Sequence, residues 1–226
     1  MVAAGIGGFA VTRALSDGTD GRAGPPIIEP TGPDTESDDP DAEVLRDLGV
    51  QQQDVGSNRS VIIIPDGTDH VDGVTLDLCE GTFPSETLRT ARLQVADIDR
   101  NSNVALSTEA VLYRDPAALD QAFAELRRTR AACTTEEFLA PPDADWTDVD
   151  GVERLAYRFE TRDAAGDPAV GASVYLRRGR VFLGVYFTDS EGPQPPVDGR
   201  TTVRGIVELM QERLADLPAS VVNRGG

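Results

Sequence analysis

Along the chain, apolar positions fall into runs whose spacing switches between two and three-to-four, and each switch marks an element. AEVLRDLGV (42–50) carries Val44, Leu45 and Leu48 at helical spacing and closes on Gly49, which predicts one short helix. SVIIIPDG is a β-rich run ended by a Pro-Asp-Gly turn. In GVTLDLC the alternation of Val74, Leu76 and Leu78 predicts a second short strand, with Cys79 at its end. TFPSETLRT predicts a short helix with Pro84 in its first turn. Ser85 is then either its cap or a first-turn residue. ARLQVADI and NVALSTEAVLYR predict a hairpin around residues 99–102. Leu93, Val95 and Ile98 face the core, and across from them run Val104, Leu106 and Thr108, then Val111 and Tyr113.

The clearest helical pattern covers residues 115–132. Asp115 is a natural N-cap, Pro116 suits the first helical position, and Leu119, Ala122, Phe123 and Leu126 form an apolar stripe. Seven residues past Leu126, Cys133 falls on the same stripe. Three strands follow, GVERLAYRFETR, PAVGASVYLRR and RVFLGVYFTD, with connections short enough to predict an antiparallel meander. The third has Val181, Leu183, Val185 and Phe187 on one face and Phe182, Gly184 and Tyr186 on the other. A strand apolar on both faces is covered on both, so it is expected to be central. TTVRGIVELMQERLADL gives a last helix with Val203, Ile206, Val207, Met210 and Leu214 inward, stopped by Pro218. The expected fold is α+β, an antiparallel sheet of about five to seven strands packed with two main helices, in a domain spanning residues 44–218. Residues 219–226 read as a disordered tail.

The N-terminal stretch has no such periodicity. Residues 1–15 open on the apolar run MVAAGIGGFAVT, which is shorter than the roughly 20 residues a spanning helix needs and has no basic leader. The two readings are the remnant of a membrane anchor or signal segment and a frayed Gly-rich terminus. The Pro/Gly-rich acidic tract after it, residues 16–43, reads as a disordered spacer and favours the anchor. Charge follows the same division. The net charge is −18, and all 21 basic residues are Arg. Between Asp17 and Asp54, 11 acidic residues stand against Arg22 and Arg46 alone. Such a balance repels nucleic acid and anionic lipid, leaving an N-terminal anchor as the only expected membrane contact.

Cys79 and Cys133 are the only cysteines, 54 residues apart. Both are expected at inward or strand-end positions, so they read as one disulfide, conditional on export from the reducing cytosol. A bridge closing a loop of that length contributes about 4 kcal/mol in the chain-entropy account.

Candidate chemistry adds little. His70, the only histidine, lies in DGTDHVDG beside Asp66, Asp69 and Asp72. That spacing does not match a calcium-binding helix–loop–helix and reads as a solvated turn. There is no G-x-S-x-G elbow, and Ser85 has the context of a helix start rather than of a nucleophile. Carboxylates are abundant, but no pair stands out for glycoside chemistry. No catalytic residue, cofactor or metal is therefore assigned. Glu86 and Arg89, three apart, pair on one helix face, with Arg92 either joining them or beginning the next strand. The plain reading of these three is a solvated ion-pair face. The sharper one is a site for an anionic ligand or partner, because Arg forks bind carboxylates well. Arg177, Arg178 and Arg180 read as a solvated turn, and Tyr157, Phe159, Phe182 and Tyr186 as core.

The strings TLDLC, PSETLRTARLQ, LSTEAVLY and ALDQAFAELRRTRAAC, in this order, resemble a family of uncharacterised secreted or membrane-anchored actinobacterial proteins. More distantly, the order of sheet and helices resembles the extracellular sensor domains of mycobacterial serine/threonine protein kinases. The resemblance implies an extracytoplasmic, disulfide-bearing domain, anchored or secreted, that binds an unknown small molecule or envelope component and is not an enzyme. Two further readings are an envelope-polymer hydrolase using paired carboxylates and a purely structural or adhesive module.

Overall fold

In a computed structural model, residues 37–55, 59–64, 71, 73–98, 104–139, 141, 146–162, 168–189 and 203–225 are described. The readings for residues 1–36, and for His70 with Asp66, Asp69 and Asp72, lie outside them. The sheet contains β1 (Ser60–Ile63), β2 (Arg89–Ile98), β3 (Val104–Tyr113), β4 (Glu153–Arg162), β5 (Pro168–Arg178) and β6 (Val181–Asp189), in the order β1-β2-β3-β6-β5-β4. Every neighbouring pair is antiparallel. The β2–β3 hairpin and the β4–β5–β6 meander are joined where β6 pairs with β3, Ala110 opposite Leu183 and Glu109 opposite Gly184. This puts the doubly apolar strand inside the sheet, as its composition predicts. The outer edge of β4 is capped by Phe138, which bridges Phe159.

The helices are α1 (Leu45–Leu48), α2 (Pro116–Ala132), α3 (Val203–Ala215) and α4 (Ala219–Val222). They cover both sides of the sheet. On one side α1, α3 and α4 bring Leu45, Leu48, Ile206, Val207, Met210, Leu214, Val221 and Val222 against Leu93, Val95, Leu106, Ala110, Leu112, Val181, Leu183 and Val185. On the other, α2 sets Leu119, Ala122, Phe123 and Leu126 against Val111, Tyr113, Tyr175, Phe182 and Tyr186. Residues alternating along β3 and β6 feed the two cores in turn, as strand geometry requires. Asp115 caps α2 as its sequence predicts, accepting a hydrogen bond from the Ala118 amide at 2.7 Å.

Several expectations change. Gly73–Cys79 is not a strand. Leu76 and Leu78 are buried as an anchored, irregular segment, whereas Val74 is exposed. Its amides bind side chains rather than a neighbouring strand, so alternation alone misplaces it. The helix expected at TFPSETLRT is a 3₁₀ turn, Pro84–Leu88, which gives way to β2 at Arg89. Cys133 is the C-cap of α2, with extended backbone, rather than part of the helix. The tail is not frayed, because α4 buries Val221 and Val222. The Val222 carbonyl accepts the Arg180 amide at 2.8 Å. Gly179 adopts φ 57°, and a side chain there would collide with that same carbonyl. Finally, the domain reaches back beyond residue 44. Within the expected spacer, Ser37 donates to the Thr90 carbonyl at 2.7 Å, and Asp39 and Asp41 bind Arg180.

Candidate functional site

The sheet face under α2 is apolar at one end and polar at the other. On β2 and β3, Arg92, Gln94 and Glu109 point to this side, and all three are buried. Arg92 forms an ion pair with Glu109 through its Nε and donates to Gln94 Oε1 at 3.0 Å. Glu109 also accepts from the Thr75 hydroxyl at 2.7 Å, and the Tyr186 hydroxyl lies 3.2 Å from its other oxygen. Tyr186 reaches across because β6 has glycine two residues earlier. A Cβ on Gly184 would overlap the Tyr186 phenol. Burial, reinforced by the adjacent Glu109 charge, holds this phenol well above its usual titration range.

Glu86 and Arg89 close the network from above. Glu86 accepts from the backbone amides of Thr75 (2.9 Å) and Leu76 (3.2 Å) and pairs with Arg89 at 3.2 Å. Arg89 donates to the carbonyls of Val71 and Gly73 and to the Thr75 hydroxyl. Burial pushes the Glu86 carboxyl above its ordinary value and Glu109 adds to this, against the pull of Arg89. The structure thus brings Glu86, Arg89 and Arg92 together, but not on a solvated face. The Arg89 and Arg92 side chains retain only 4% and 5% exposure, and Glu86 18%. The reason is the segment Gly73–Leu78, which among the described residues pairs with no strand and draws its hydrogen bonds from these side chains. Between sheet and segment, Glu86 and Glu109 each accept from three internal donors, so the cluster acts as a polar lock.

Next to this lock lies the disulfide. Cys79 and Cys133 are bonded with their Cα atoms 5.7 Å apart. Cys79 and Glu80 both adopt left-handed backbone, φ 56° and 53°, which strains non-glycine residues. The turn they make presents the Cys79 amide to Glu136 at 3.0 Å and carries the sulfur to the end of α2. Burial raises the Glu136 carboxyl above its usual value. Among the described residues, the one grouping with metal-ligand spacing is Cys79, Cys133 and Glu136. With its sulfurs bonded to each other it offers no thiolates.

The turn arginines are also not solvated. Arg178 donates to the Leu214 and Leu217 carbonyls at the end of α3, and Arg180 is 1% exposed. Arg177 pairs with Asp120 and Glu153. Together with Pro116, Arg178 and the turn glycines Gly151 and Gly179, these three residues line a charged cleft of about 190 Å³, small against the roughly 300–1,000 Å³ of ligand pockets. Tyr157, Phe159, Phe182 and Tyr186 belong to the core or its margin, as expected. Ser85 is not a cap. Its hydroxyl donates to the buried carboxylate of Glu125 at 2.6 Å.

Glu109, Thr75 and Asp39 were not marked by sequence reasoning. The available signal was indirect: if β6 is covered on both faces, the polar positions of neighbouring β3 are covered too. No known protein family matches the chain, and no curated protein is significantly similar to it.

Proposed function

We propose that this is a non-enzymatic, extracytoplasmic sensor-like or binding domain, tethered to the cell envelope through its N-terminal stretch. The observation that carries this reading is the Cys79–Cys133 bridge. A structural disulfide belongs to an oxidising compartment, and this one holds the segment over the polar lock to the end of α2. The resemblance to secreted actinobacterial proteins and to kinase sensor domains points the same way. Among the described residues no helix is long and apolar enough to cross a membrane. The proposed tether is the apolar stretch of residues 1–15.

The test is a melting-temperature screen of the full chain against soluble envelope fragments. A ligand present at 100 times its Kd stabilises by about 2.7 kcal/mol, which shifts the melting temperature by roughly 5 °C or more in a domain of this size. Release of hydrolysis products from any fragment would overturn the non-enzymatic reading. Retention of the protein in the cytosolic fraction of its host would overturn the localisation.

A further inference from the structure

The flank of α2 that meets β4 and β5 carries a ladder of alternating charge: Asp120 to Arg177, Arg177 to Glu153, Glu153 to Arg127. One turn on, the pattern breaks. Among the described residues, no carboxylate forms an ion pair with Arg130. Its guanidinium instead lies 3.6 Å from the centre of the Phe138 ring. Phe138 packs edge-on against Tyr157, ring centres 6.1 Å apart, and both are half-buried. Burial raises the Tyr157 phenol above its usual value, against the charges of Arg127 and Arg130. Glu136, the nearby carboxylate, turns one oxygen to the Cys79 amide, and its other oxygen is buried.

Stacking fixes the plane of a guanidinium while leaving its N–H edges free, which is the arrangement that grips a carboxylate with two parallel hydrogen bonds. We propose that Arg130, Phe138 and Tyr157 form a binding site for a carboxylate carried on an otherwise apolar small molecule. The guanidinium and the phenol hydroxyl donate to the carboxylate, while the Tyr157 ring and Leu155 beside it meet the apolar part. A dianion or polyanion is disfavoured by Glu136, Glu153 and the −18 charge of the chain. This inference rests on the reading of the chain as a binding domain and names the chemistry of one site on it.

The probes are sodium benzoate and, separately, inorganic phosphate, titrated into the full chain while the Phe138 backbone amide resonance, present in every variant below, is followed by NMR. Benzoate is expected to shift it saturably, with a dissociation constant on the order of 1 mM. Phosphate is expected to bind about tenfold more weakly. Arg130→Gln should weaken benzoate at least tenfold, and Tyr157→Phe, which keeps the ring packing, about threefold. Arg128→Gln, on the exposed side of α2, should change nothing. Glu136→Gln, which removes a competing charge but keeps an acceptor for the Cys79 amide, should tighten binding about twofold. A shift linear in benzoate, equal affinity for phosphate, or the same benzoate affinity in a folded Arg130→Gln variant overturns the site. If an envelope fragment still raises the melting temperature in that case, the site alone falls and the binding-domain reading stands.

Discussion

Arg180→Ala should be among the most destabilising single substitutions in the domain. The Arg180 side chain has five N–H bonds and all five are used. Nε donates to the Val221 carbonyl at 3.0 Å. Nη1 donates to Asp39 at 2.6 Å and to the Tyr113 carbonyl at 3.1 Å. Nη2 donates to Asp39 at 2.9 Å and to Asp41 at 2.6 Å. One side chain therefore ties the start of the domain, the end of β3 and helix α4 together. Removing one member of a buried pair costs about 3–5 kcal/mol, because the partner keeps its desolvated charge. Two carbonyls lose donors here as well, so about 4 kcal/mol is a conservative expectation against a total of roughly 5–15 kcal/mol. With a urea m-value of about 2 kcal/mol/M, the unfolding midpoint should fall by about 2 M. Circular dichroism during urea unfolding at pH 7 reads this directly. A loss below about 1 kcal/mol would refute the assignment of Arg180 as the hub. The same contact has a pH signature. Burial alone would raise the Asp39 carboxyl, but hydrogen bonds from Arg180 and Thr90 outweigh it and hold the group at about 2, against 3.8 when unconstrained. A depressed carboxyl contributes stability above its unfolded value and loses it as pH falls through the folded one. With the side chain only 4% exposed, the contribution is about 2 kcal/mol, complete above pH 4 and lost between about pH 4 and 2. Asp39→Asn should flatten that part of the stability curve. An unchanged slope would contradict the linkage.

Four further outcomes follow from the same contacts. Replacing both Cys79 and Cys133 with Ser should lower stability by up to about 4 kcal/mol, read as a lower urea midpoint that reductant no longer affects. Gly184→Ala should displace the Tyr186 phenol from Glu109 and cost about 1–3 kcal/mol, seen by urea unfolding together with a shift in the tyrosine near-ultraviolet signal. A chain ending at Leu217 should melt well below the full chain, because Val221 and Val222 leave the core and the Arg180 amide loses its acceptor. A chain starting at residue 42 should be less stable than one starting at residue 37, because it lacks Asp39 and Asp41. Equal melting temperatures would remove residues 37–41 from the domain.

Most of the sheet was legible because its signals are local. Alternation in β2, β3 and β6, the Asp115–Pro116 start of α2 and the short turns of the meander each specify an element within a few residues. The double apolar pattern of Val181–Phe187 even gave the position of β6 in the sheet. What escaped depends on pairs far apart in the chain. Arg180 reads as part of a solvated turn with Arg177 and Arg178 until Asp39, 141 residues earlier, is placed beside it. Leu76 and Leu78 alternate as in a strand, but whether they pair with a strand or hang from side chains is decided by Glu86 and Arg89. The polar residues of β2 read as solvent-facing because what covers them is the irregular segment at Gly73–Leu76, whose Val74 carbonyl meets Arg92 and whose sequence carries no signal of a cover. The disulfide was legible from two cysteines and one helix stripe, although Cys133 reaches its partner from the C-cap rather than from the stripe.

The central claim is that the two sulfurs are joined in the cell, in an oxidising space. The direct measurement is alkylation of the protein drawn from its native host, with thiols blocked at lysis and counted by mass spectrometry with and without reduction. The account predicts no labelled thiol before reduction and two after it. Two labelled thiols before reduction would contradict the extracytoplasmic reading.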